Sequence, residues 1–68
     1  MNERIRKLRR AMKMSQLQLA KECGHKYNSI VAGWETGRRK VNLEDLPTLA
    51  RVLGTTIDYL VTGEEPRA

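Results

Sequence analysis

The apolar residues of this chain recur three and four apart, in short runs. Ile5, Leu8 and Met12 make one run, and Leu19, Ala20 and Cys23 a second. Tyr27, Val31 and Trp34 make a third, with Ile30 beside them, and Leu46, Leu49, Ala50 and Leu53 a fourth. A period near 3.6 residues places each run on one face of a helix. Several short one-sided helices can hide those faces only against one another, so the expected fold class is all-α, a compact five-helix bundle. The chain's 68 residues have room for one small domain, expected over 1–63, with 64–68 as a polar tail or the start of a linker. A domain of this size buries only roughly 60% of its unfolded surface, so its core is thin.

Capping residues set the expected ends. Helix one is expected over about 3–13, with Asn2 or Glu3 supplying an N-terminal cap or charge. Ser15 with Gln18 three residues on forms a capping box, which opens a second helix over about 16–23 with Gly24 behind it. A third spans about 27–35 and stops at Thr36-Gly37, with Gly33 inside it as a poor helix former. The fourth starts between Glu44 and Pro47, because proline lacks an N–H and suits only a first turn. It ends at Leu53. Thr56 caps a short fifth helix over 57–62, closed by Gly63. Met1, Met12 and Met14 are expected to fill the core.

Charge narrows the partners. Residues 1–40 hold eleven basic and three acidic residues, a net of +8, against −3 for 41–68. A basic half beside an acidic half points to a surface facing a polyanion. One Cys excludes an intrachain disulfide, and one His leaves no metal cage. No run approaches the ~18 apolar residues of a membrane span, and no apolar stretch follows the N-terminus as a secretory signal would require. A reduced, cytoplasmic setting and no cofactor are expected. An enzyme is not, because there is no nucleophile with a base, no paired carboxylates and no glycine-rich phosphate loop.

Short helices joined by short connections, two of them meeting across Gly24, suggest a helix-turn-helix. From Ile5 to Gly63 the chain resembles the lambda-type phage repressor and Cro superfamily of DNA-binding domains. The resemblance rests on Ile5-Arg6-Lys7-Leu8-Arg9, on Ser15-Gln16 with Leu19-Ala20, and on Trp34-Glu35-Thr36-Gly37-Arg38-Arg39. It continues through Leu49-Ala50-Arg51-Val52-Leu53-Gly54 and Ile57-Asp58-Tyr59-Leu60-Val61-Thr62-Gly63. Each motif is weak alone; all of them in order are specific.

The resemblance implies a sequence-specific regulator of double-stranded DNA, a phage- or plasmid-type repressor binding a palindromic operator as a homodimer. Gln16 matches a phosphate-gripping residue, helix three the recognition helix, and Arg38, Arg39 and Lys40 the loop that touches the DNA backbone. Arg9 and Glu35 match a buried salt bridge that orients helix three. The distance from Ala20 to Trp34 is one residue longer than the family's, which leaves two registers open. Either the turn holds the extra residue and Val31 is core, or Ile30 is core. The Val31 register is preferred for its spacing to Trp34, and it gives Asn28 and Ser29 the base-reading positions, with Ala32 and Gly33 further along the groove. Asn28 can pair bidentately with adenine. Lys26 and Tyr27 are candidates for phosphate contacts, and His25 is expected to face solvent. Ile57, Leu60 and Val61 are the candidate dimer contacts, and the tail points to a further domain in a longer parent protein. A competing expectation is an antitoxin- or controller-type protein-interaction module with secondary DNA binding. Helix one is too weakly apolar for a membrane-surface binder.

Overall fold

The computed structural model describes residues 2–63. Five helices run in order: α1 Asn2–Ala11, α2 Gln16–Glu22, α3 Ser29–Thr36, α4 Asp45–Val52 and α5 Ile57–Thr62. The described residues are all helix, turn and loop, as the apolar spacing requires. The tail expected at 64–68, like Met1, lies outside the described residues. The expected ends hold to within two residues, and the caps explain why. Ser15 Oγ accepts from Gln18 N–H at 3.0 Å while Gln18 Oε1 accepts from Ser15 N–H at 2.7 Å, so two free donors of α2 are satisfied reciprocally. Thr56 Oγ1 does the same work for α5, accepting from Tyr59 N–H at 3.1 Å. Pro47 falls in the first turn of α4, where its missing N–H costs nothing.

The core gathers one face from every helix. Ile5, Leu19, Val31, Leu49 and Leu60 are fully enclosed, with Trp34, Ala20, Ala50 and Leu53 around them. Val31 is 0% exposed while Ile30 is only half-buried against its edge, so Val31 is the core aliphatic and the extra residue lies in the turn 23–28. Tyr27 is not on the Val31–Trp34 face: α3 starts after it, and its side chain is 73% exposed. Met12 is likewise exposed, because α1 ends at Ala11 and Lys13 turns left-handed at φ 57°. Met14 reaches the core edge instead.

Two polar ties close the bundle. Arg4 of α1 donates from Nε and Nη2 to the Leu60 carbonyl and from Nη2 to the Val61 carbonyl, at 3.1–3.2 Å. Those carbonyls end α5 without a helical partner, and a cation there also favours the helix dipole. His25, expected to face solvent, is half-buried. Its Nε2 sits 3.3 Å from Asp45 of α4, and its ring meets Trp34 edge-on at 5.8 Å. It fastens the turn before α3 to the α4 N-terminus.

Candidate nucleic-acid interface

The placement of α3 rests on one buried carboxylate. Glu35, 3% exposed, accepts from Arg9 Nε at 2.6 Å and Nη2 at 3.1 Å, a fork-on-carboxylate pair. Arg9 Nη1 also donates to the Met14 carbonyl at 2.8 Å, and Arg6 Nε lies 3.5 Å from Glu35. Burial pushes the Glu35 carboxyl up, but hydrogen bonds from Arg9 and Gln16 and the Arg9 charge outweigh it and hold the group below its usual value. The bridge expected between Arg9 and Glu35 is therefore present, and it fixes the C-terminal end of α3 to α1.

Gln16 joins the same network, donating from Nε2 to Glu35 Oε1 at 3.2 Å. The first residue of α2 is thus oriented by the last turn of α3. Asn28 occupies the N-cap position of α3, yet its side chain makes no capping bond. It is exposed, as are Lys26, Tyr27 and Ser29, so all four present polar groups to the outside around the start of α3.

Ser29, Ala32, Gly33, Thr36, Arg38 and Arg39 line one cleft of about 450 Å³ beside α3. The structure thus brings Ser29 and Ala32 of α3 and Arg38 and Arg39 of the loop to a common surface, while Asn28 is not among the residues that line it. Lys40 does not line that cleft. It lines a second cleft of about 460 Å³ with Asn2, Ile5, Trp34 and Leu43 among others, and Arg39 borders both. Thr36 was missed by the sequence reading, though its spacing from Ser29 and Ala32 marks the same face. Its hydroxyl donates back to the Ala32 carbonyl at 2.9 Å.

Two expected positions need correction. Gly33 lines the cleft, but the side chain of Arg39 lies over it and leaves it buried, so it offers a base no open surface. Leu60 is 0% exposed and belongs to the core, so it cannot contact a second chain. Ile57 and Val61 remain 39% and 48% exposed. Cys23 packs at the core edge. Burial, then the charges of Asp45 and Glu22, push its thiol up to about 11, which keeps it protonated at neutral pH and a poor nucleophile. Among the described residues no three His, Cys, Asp or Glu side chains cluster to hold a metal. No described helix is long and apolar enough to cross a membrane.

The family model described as helix-turn-helix matches residues 5–60. The chain belongs to the helix-turn-helix family. Its fold is that of the lambda-type repressors. The P22 c2 repressor protein, solved in complex with a synthetic operator in the presence of Tl+, matches with a TM-score of 0.87 and 35% identity, over 93% of this chain and 94% of that one. The DNA-binding domain of the P22 c2 repressor (1-76), solved by nuclear magnetic resonance in solution, matches with a TM-score of 0.84 and 33% identity, over 98% and 87%. The HTH-type transcriptional activator BcrR of Enterococcus faecalis is 33% identical over 64 residues, 94% of this chain. This chain spans 31% of that relative's length. It is therefore a helix-turn-helix domain, and the proteins it matches are a repressor solved on an operator and a transcriptional activator rather than enzymes.

Proposed function

We propose that this domain reads a palindromic operator as a homodimer, with α3 in the major groove of each half-site, about 34 Å apart. Asn28, Ser29 and Ala32 face base edges. Gln16, Lys26, Tyr27 and the loop 38–40 face the sugar–phosphate backbone. The observation that carries this reading is the shared cleft, in which the outer face of α3 and the basic loop border the same space. Asn28 supports it, because an N-cap side chain left without a capping bond is free for adenine. The likeness to a repressor solved on its operator supports the choice of double-stranded DNA. Exposed Ile57 and Val61 on α5 are the apolar surface offered to a second copy. Bound at a promoter, such a dimer blocks polymerase, the mode of a phage- or plasmid-type repressor, working in a reduced cytoplasm.

The salt dependence of binding to a mixed-sequence duplex tests the placement of the loop. Each lost phosphate contact lowers the slope of log affinity against log salt by about one. Arg38→Ala and Lys40→Ala are each expected to do so. A loop charge reversal that leaves DNA affinity unchanged would contradict the reading and favour a protein-interaction module.

A further inference from the structure

Gly33 stands in the middle of α3, where glycine is among the poorest helix formers. It shares a helical face with Ser29 and Thr36, four and three residues away, so a side chain at 33 would enter the cleft. The stem of Arg39 takes that space. A Cβ on Gly33 would lie 2.9 Å from Cγ and Cδ of Arg39 and 3.2 Å from its Cβ. The backbone anchors the same crossing, since Arg39 N–H donates to the Gly33 carbonyl at 3.1 Å. Among the described residues the Arg39 guanidinium has no hydrogen bond or ion pair. Arg4 and Arg9, by contrast, both commit their guanidinium groups inside the protein.

With its stem from Cβ to Cδ laid against Gly33, Arg39 has lost part of its rotamer freedom before any ligand arrives. A phosphate takes such a fork too, but a flexible point charge also binds it, so it does not need the seat on Gly33. A planar fork carried on a seated stem suits a target with two acceptors in one plane. In the major groove that target is the O6/N7 edge of guanine. We infer that Arg39 reads a guanine from a seat on Gly33. This moves Arg39 from the phosphate contacts to the base contacts, and gives Gly33 the role of positioning residue. The inference rests on α3 lying in the major groove.

The test is a base-by-base affinity profile on the duplex that the wild-type protein selects from a random pool. Arg39→Lys keeps the charge and loses the fork. It is expected to cut the preference for guanine at one position of each half-site by roughly tenfold or more, with specific affinity falling more than mixed-sequence affinity. Gly33→Ala, which displaces the stem, is expected to flatten the same position, and Arg51→Lys on the exposed side of α4 to change no position. An Arg39→Lys profile equal to the wild type would overturn the inference, as would one flattened evenly at every position. Should Gly33→Ala fail to fold, Arg39→Lys decides alone. A wild-type protein with no preference at any position would instead overturn the DNA reading beneath.

Discussion

Glu35 is the residue on which the most depends. It is enclosed, charged, and held by Arg9 and Gln16 together. Removing one partner of such a pair strands the other charge in a poor solvent. Glu35→Ala is expected to destabilise the domain by about 3–5 kcal/mol, measured by urea unfolding, whereas a paired Arg9→Met, Glu35→Leu replacement recovers most of that loss. The acid limb follows from the lowered carboxyl. Its folded value lies below its ordinary 4.5, so the stability it adds is complete above that value. That contribution is lost as pH falls through the folded value. Glu35→Gln is expected to make the acid limb of the stability profile shallower, by up to one proton. This pair was legible from the resemblance alone, since nothing in its spacing shows that residues 26 apart in sequence would meet.

At the scale of elements, the starts of α2 and α5 were legible because capping is local. Ser15 with Gln18 and Thr56 with Tyr59 each decide a helix start within four residues. Boundaries without a side-chain cap were less legible. Tyr27 sits at the right interval to join the Val31–Trp34 face, but the turn from Cys23 to Asn28 needs it outside the helix. Met12 fails for the same reason, being one residue past the last residue of α1. Long-range ties left no sequence trace. Arg4 closes α5 from 56 residues away. Arg4→Ala frees carbonyls that water can partly reach, so the expected cost is about 1–2 kcal/mol. Hydrogen exchange checks where that cost falls. The Gly63 N–H, bonded to Tyr59 O at 2.8 Å, is expected to exchange faster, with Leu19 and Val31 amides changed only as much as global stability requires.

At the scale of the whole molecule, the core and the reading surface draw on the same helix. Val31, Trp34 and Glu35 of α3 face inward, while Ser29, Ala32 and Thr36 face the cleft. A register shift by one residue would bury Ile30 and carry a different set outward, so fixing Val31 in the core also fixes which residues are presented. That choice was open in the sequence because the turn is one residue longer than in the family. Burial decides it. The dimer belongs to this scale too. Val61 is half exposed on α5 beside the core residue Leu60. Val61→Lys is therefore expected to weaken self-association in sedimentation velocity and to reduce operator affinity, with the thermal unfolding midpoint of the monomer little changed.

Selection of bound duplexes from a random DNA pool at near-physiological salt tests the central claim most directly, with an Asn28→Ala, Ser29→Ala variant run beside the wild type. The account predicts that the wild type enriches a palindrome with half-sites one helical turn apart, and that the variant loses or changes the enriched bases. A wild type that enriches nothing, or a variant that enriches the same palindrome with equal strength, would contradict the assignment of α3 as the element that reads sequence.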